Sequence, residues 1–285
     1  MRPARRWAVS HPLPLLLCAL CWPGSTRAED AKVIAALRAA RADIDDKAFT
    51  KGLYRPAQWG QRLNLSYTAV TDAGLARLEK YNDVSRLDLG YLSITDAGLV
   101  HVQKLGKLIE LTLIGTPITD AGLEHLAAMP SLGILVLDDT RISDAGLASL
   151  QKLPGLGALY ARRTGITDVG LATVATYPSL SALHVTDTAV SDKGIEYLKK
   201  ADKLAVLDVA GSKITDAGAE HLAALPVLRS LDLSRTGVTD AGLVHLKKNA
   251  QLQWLGLGGC GVSAAAVDDL RATLPDLTVE TKSGE

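Results

Sequence analysis

The sequence predicts an α/β fold: a right-handed, curved solenoid of about nine 24-residue repeats, with a parallel inner sheet and outer helices. Three observations predict it. The hexapeptide Val70-Thr71-Asp72-Ala73-Gly74-Leu75 returns as Ile94-Thr95-Asp96-Ala97-Gly98-Leu99. It returns again from Ile118, Ile142, Ile166, Val190, Ile214 and Val238, and in degenerate form from Val262, always 24 residues on and with no insertion. A fixed period of this length is the signature of stacked supersecondary units. Within each unit the apolar spacing changes from two, as at Leu111 and Leu113, to three, as at Leu123, Leu126 and Met129. The first is a strand period and the second a helix period. Finally, Pro130, Pro154, Pro178 and Pro226 share one column, where a residue without an N–H closes each helix.

The 285 residues divide into four segments. Residues 1–28 carry Arg2, Arg5 and Arg6, then an apolar run from Leu13 to Trp22, then Pro23-Gly24 and small residues at Thr26 and Ala28. This is the three-part plan of a secretory signal peptide, and the run is too short to span a membrane. Lipidation is the alternative, although Cys18 and Cys21 both follow Leu rather than a small residue. Residues 29–57 read as an N-terminal cap helix, with Val33, Ile34, Leu37 and Ile44 on one side, and a linker. Residues 58–262 are the repeats. Residues 263–285 form a C-terminal cap, in which Val267, Leu270 and Leu274 continue the helical pattern and Leu277 and Val279 add a strand before a polar tail.

Composition narrows the function classes. Lys+Arg and Asp+Glu both number 31, so no net charge favours nucleic acid. Removing residues 1–28 removes four Arg and leaves a net charge of −4. Only Cys260 then remains, which excludes a disulfide scaffold and suits a buried thiol. Aromatics are 4% of the chain, so the core is built from Leu, Ile, Val and Ala.

The recurrent motif has a local reading. Thr, or Ser143, Ser191 and Ser263, is the N-cap of each helix. Asp follows in the first turn, at the positive end of the helix dipole. Gly costs about 1 kcal/mol against Ala inside a helix, so its repetition points to close packing between neighbouring units. Lys80, Lys104, Lys152, Lys200 and Lys248 sit at helix ends, opposite the negative pole.

The run Leu-x-x-Leu-x-Leu-x-x-Thr-x-Ile-Thr-Asp-Ala-Gly-Leu resembles a leucine-rich repeat of the ribonuclease-inhibitor-like class. It is similar to the cysteine-containing repeats of F-box proteins and closer to exported bacterial proteins built from this 24-residue unit. The resemblance covers about residues 58–279 and implies a solenoid that recognises a protein or peptide on its concave sheet. Two departures matter. The column where that subfamily prefers Cys or Asn holds Thr68, Thr116, Thr140, Thr164, Thr188, Ser212 and Thr236, with Leu92 and Cys260 as exceptions. The residues between Ala28 and the first repeat are too few for an F-box, which leaves a ubiquitin-ligase arm as a remote alternative.

Candidate chemistry is sparse. His101, His125, His221 and His245 share an outer-helix column, but packed helices stand about 8–10 Å apart, while metal donors must converge to about 2 Å from the ion. The Asp column lacks the glycine-rich nonapeptides of calcium-binding β-helices. No cofactor or metal is expected. His184, Asp208 and Asp232 lie in one strand column near Ser234. An open sheet offers them no oxyanion donors, so the chain reads as a non-enzyme.

The outward positions of the sheet are not set by the repeat, and they carry the candidate binding site. Ile114, Ile134, Val136 and Tyr160 form an apolar centre, flanked by Asp138, Arg162 and Arg163 and continued by His184, Asp208 and Asp232. An apolar or aromatic anchor with a charged rim suits a protein interface. Arg62, Tyr67, Arg86 and Tyr91 make a second, basic-aromatic patch. The expected function is an exported module that binds a protein or peptide, placed in the periplasm, on the cell surface or outside the cell. The rival is a structural spacer of the cell envelope.

Overall fold

The computed structural model describes residues 54–57 and 60–281. The signal-peptide and cap-helix readings for residues 1–44 lie outside the described residues. One 11-stranded sheet runs in chain order. Strand β1 (Tyr54–Ala57) pairs antiparallel with β2 (Gly60–Asn64). Residues 54–57, read from the sequence as linker, are therefore a strand on the sheet's first edge. From β2 onward every pairing is parallel. The strands are β3 (Val84–Asp88), β4 (Glu110–Thr112), β5 (Ile134–Val136), β6 (Ala158–Tyr160), β7 (Ala182–His184), β8 (Val206–Asp208), β9 (Ser230–Asp232), β10 (Trp254–Gly256) and β11 (Thr278–Glu280). From β3 on the register advances by one repeat, 24 residues, per strand.

Helices alternate with the strands: α1 (Asp72–Leu75), α2 (Leu99–Val102), α3 (Asp120–Leu126), α4 (Asp144–Leu150), α5 (Asp168–Val174), α6 (Asp192–Tyr197), α7 (Asp216–Ala223), α8 (Asp240–Leu246) and α9 (Ala264–Thr273). They are short, and α3 and α7 end four and three residues before Pro130 and Pro226. Two turns of helix suffice because the apolar stripe meets a continuous core. Leu87, Leu111, Leu135, Leu159, Leu183, Leu207, Leu231 and Leu255 point inward from the strands and are at most 1% exposed. Leu99, Leu123, Leu147, Leu171 and Leu243 meet them from the helices. Each such side chain contributes about 1.5–3 kcal/mol on burial, and no single repeat covers its own stripe.

The Asp column does more than face a helix dipole. Each carboxylate reaches into the following repeat. Its Oδ1 accepts from the backbone N–H of the next N-cap residue, at 2.6–2.8 Å, and its Oδ2 accepts from that residue's hydroxyl, at 2.6–2.7 Å. Asp72–Thr95 is the first rung and Asp240–Ser263 the eighth among the described residues. The helical glycine follows from this rung. A Cβ at Gly98, Gly122, Gly146, Gly170, Gly194, Gly218 or Gly242 would stand 2.3–2.6 Å from Oδ1 of the preceding repeat's Asp. The close packing inferred from the sequence is thus a carboxylate lying on the helix's first turn.

The Thr column closes the turn after each strand. Thr140 donates its hydroxyl to the carbonyl of Leu137 at 2.5 Å, and its backbone N–H reaches the same oxygen at 3.2 Å. Thr68, Thr116, Thr164, Thr188 and Thr236 repeat the hydroxyl bond at 2.6–2.7 Å. Cys260 donates instead to Leu233 at 3.0 Å and is half-buried rather than fully enclosed.

The residue before that Thr turns left-handed in all nine repeats. Gly115, Gly211 and Gly259 hold positive φ, and so do Tyr67, Tyr91, Asp139, Arg163, Asp187 and Arg235, at 52–61°. Such a conformation costs a non-glycine residue about 1 kcal/mol or more. It persists because each backbone N–H is tied into the next repeat, as in Asp139 to Arg162 O at 2.9 Å and Asp187 to Ala210 O at 2.8 Å. Gly211 has a further reason. Arg235 reaches over it to Asp187 at 2.8 Å, and a Cβ there would stand 2.0 Å from Asp187 Oδ1.

Three outcomes follow. Gly146→Ala, which in an ordinary helix stabilises by about 1 kcal/mol, destabilises here by about 1–3 kcal/mol in urea denaturation, because the Asp120 rung must shift. Gly211→Ala lowers stability by about 1–3 kcal/mol and weakens the Asp187–Arg235 pair. Acid weakens the last two rungs, those of Asp216 and Asp240. The N–H and hydroxyl of Ser263 hold Asp240 below the ordinary carboxylate value. At Asp216 burial pushes the other way, but the donors of Thr239 and Gly242 outweigh it. A depressed folded value means stability that is present above about pH 4 and lost as pH falls through the folded value. Thermal melting followed by circular dichroism from pH 7 to pH 2 shows the fall setting in below about pH 4, and a flat profile there contradicts it.

Candidate functional site

The helix-covered face of the sheet is closed, and the opposite face is where side chains are free to differ. Because the strands are mostly three residues long, only two columns stand on that face. The first runs Arg62, Arg86, Glu110, Ile134, Ala158, Ala182, Val206, Ser230, Trp254. The second runs Asn64, Asp88, Thr112, Val136, Tyr160, His184, Asp208, Asp232, Gly256.

Ile114, Asp138 and Arg162, expected from the sequence on the outward face of the sheet, share a column that belongs to the turn. It directly precedes the left-handed residue and is largely covered: Ile114 is 6% exposed and Asp138 2%. Asp138 is therefore a structural carboxylate more than a rim charge. Its Oδ1 accepts the backbone N–H of Arg162 at 2.8 Å. Burial pushes its pKa up, against the Arg162 N–H and guanidinium.

The apolar centre reduces to Ile134, Val136 and Tyr160, all half-buried. They hold together through strand register, with Val136 beside Tyr160 on adjacent strands. Tyr160 in turn stacks on His184, ring centroids 4.3 Å apart and planes 12° apart. His184 Nδ1 lies 3.5 Å from Asp208 Oδ2, a loose contact. Burial raises the Asp208 pKa, but His184 and the donors of Ala210 and Thr186 outweigh it and hold the group low. Asp232 is raised, first by burial and then by the charge of Asp208 beside it.

These groups do not assemble a hydrolytic triad. Ser234 gives its backbone N–H to Asp232 at 2.9 Å and its hydroxyl interacts with the same carboxylate. Nucleophilic catalysis needs the hydroxyl on the imidazole.

The rim charges are found in the left-handed column. Arg163 donates to Asp139 through Nε at 2.6 Å and through a second nitrogen at 2.5 Å. Asp187 and Arg235 pair one repeat apart across Gly211. The sequence reading found Arg163 but missed Asp139, Asp187 and Arg235. The signal was present as a 24-residue column of bulky and charged residues alternating with Gly, at a turn.

In the second patch, Tyr67 and Tyr91 occupy the same left-handed column and stack at 4.7 Å. Arg62 and Arg86 are neighbours in register. The patch is not purely basic, because Glu110 continues their column and lies 3.6 Å from Arg86 Nε. Burial raises the Glu110 pKa, opposed by Arg86 and Arg62.

On the helix side, His101 Nδ1 stands 3.5 Å from Glu79, which Lys104 also contacts at 2.5 Å. Among the described residues no three His, Cys, Asp or Glu side chains converge as a metal site. No helix among them is long and apolar enough to cross a membrane.

A family model described as "Leucine Rich repeat" matches residues 203–223 and 224–246. No curated protein matches the chain. Among solved structures it is similar to internalin C2 of Listeria monocytogenes, with a TM-score of 0.56 and 27% identity over 71% of this chain and 80% of that one. It is also similar to the internalin InlF of the same organism, with a TM-score of 0.53 and 20% identity over 77% and 73% of the two chains. The finer likeness to ribonuclease-inhibitor and F-box repeats finds no match among these. Period, strand–turn–helix unit and parallel sheet agree with that match: the chain folds as a leucine-rich-repeat solenoid.

Proposed function

We propose that this protein is an exported, non-enzymatic recognition module that binds a protein or peptide on the open face of its sheet. One observation carries the reading. Ile134, Val136, Tyr160 and His184 form a contiguous, half-exposed patch that the fold does not need. The same columns elsewhere hold Ser230, Asn64 or Thr112 with the backbone unchanged. Stacked rings of this kind bury large area at little cost in side-chain freedom. The paired charges of Asp139, Arg163, Asp187 and Arg235 border the patch, as a polar rim borders an interface core. Leucine-rich-repeat solenoids present such extended surfaces to partners, and the internalin likeness agrees with a surface or secreted setting. The leader would be residues 1–28, cut after Ala28, with Thr26 and Ala28 as the small residues at −3 and −1.

The test is capture from envelope and culture-fluid extracts by the native chain and by a chain carrying Val136→Glu, Tyr160→Ala and Arg162→Glu. Circular dichroism checks that both are folded. A partner held by the native chain and lost by the variant is the expected result. Equal capture by both moves recognition off this patch, towards Arg62 and Tyr91. No partner from either extract favours the spacer.

A further inference from the structure

The end of the sheet beyond His184 has a different chemistry from the apolar centre. Asp208 and Asp232 stand directly opposite one another in register, about 4.8 Å apart as strand neighbours. Like charges so placed oppose folding. Each does hold its own turn, through Ala210 N–H at 3.0 Å and Ser234 N–H at 2.9 Å. Asn64 does the same for Ser66 at 3.0 Å without a charge, so the two negative charges exceed what the turn requires.

Among the described residues neither carboxylate is ion-paired with a Lys or Arg. Arg235 is turned to Asp187 at 2.8 Å, and His184 makes only the loose 3.5 Å contact with Asp208. Thr186 is 6% exposed, and its hydroxyl, which lies toward Asp208, has no hydrogen bond of ordinary geometry. Next in register is Gly256. A Cβ there would stand 2.5 Å from Asp232 Oδ1 and 2.8 Å from Cη2 of Trp254. The glycine therefore lets a half-buried indole and a carboxylate approach a common point on the open face.

We propose that Asp208, Asp232 and Trp254 form a receptor for a basic side chain, a guanidinium foremost, carried by the protein or peptide that lies across the sheet. Two adjacent carboxylates suit the fork of an Arg donor, and an aromatic face suits its plane. This rests on the recognition reading above and adds the chemistry of the partner: a basic residue two to four strands from its apolar anchor, since Asp208, Asp232 and Trp254 lie on the second, third and fourth strands after that of Tyr160.

The experiment uses the full chain and two blocked pentapeptides, acetyl-Gly-Ser-Arg-Ser-Gly-amide and the same peptide with neutral citrulline for arginine. Nuclear magnetic resonance follows the Trp254 indole N–H, assigned with Trp254→Phe. The Arg peptide is expected to shift this signal saturably, with the citrulline peptide at least about tenfold weaker. Asp208→Asn with Asp232→Asn, which keeps the turn bonds, weakens the Arg peptide by about tenfold or more. Equal response to both peptides, no response to either, or undiminished binding by the Asn variant overturns the proposal. The capture test separates it from the broader reading. A partner lost from the Val136/Tyr160/Arg162 variant but retained in full by the Asn variant leaves recognition standing and removes the cation receptor.

Discussion

A carboxylate at each helix start, bonded across to the next helix start, is the interaction on which the rest of this molecule depends. It sets three residue types at once. Asp must be there to accept two bonds, a hydroxyl residue must follow one repeat later to donate one of them, and Gly must leave room for the carboxylate. It also fits the constant 24-residue spacing of the motif. An extra residue would have to be looped out for the acceptor still to meet a donor that it holds at 2.6–2.8 Å. The helices remain short because neighbour contacts, not intrinsic helix length, stabilise them.

The same logic governs the turn at the other end of each strand. There the Thr hydroxyl and backbone close a four-residue turn, and the residue before the Thr is driven into the left-handed region. Tyr, Asp and Arg accept this conformation because their N–H groups are held by the next repeat. The consequence for the surface is substantial. A column of bulky side chains is fixed along one border of the open face, stacked in pairs at Tyr67–Tyr91 and ion-paired at Asp139–Arg163 and Asp187–Arg235. Strain in the backbone is thus converted into a rigid, ordered edge.

Between that edge and the strands, the face divides by chemistry. The middle is apolar and aromatic, and the stretch from Asp208 to Trp254 is acidic with an aromatic wall. Parallel register makes these regions additive, since each strand contributes one side chain per column at a fixed spacing. A ligand in extended form would meet the two regions in succession. The core contributes to this only indirectly, by holding the columns straight with its uninterrupted leucine rows.

Much of the fold was legible because the repeat reports itself: period, strand, helix, cap and proline all follow from spacing in one dimension. Val136, Tyr160, His184, Asp208 and Asp232 were likewise placed in their strand column by counting in steps of 24. What counting did not reveal was where a strand ends. Ile114 and Asp138 look like strand positions by alternation, yet the backbone has already turned, and they are buried. Nor did the sequence show the partners of the Asp column, since a helix-dipole role and a bond to the next repeat predict the same residue. The sequence by itself determined the unit and its stacking, because periodic apolar residues can be buried in only one way. The tertiary structure alone decided which outward residues are open, which are covered and which are paired, because those depend on distances between repeats that no single repeat encodes.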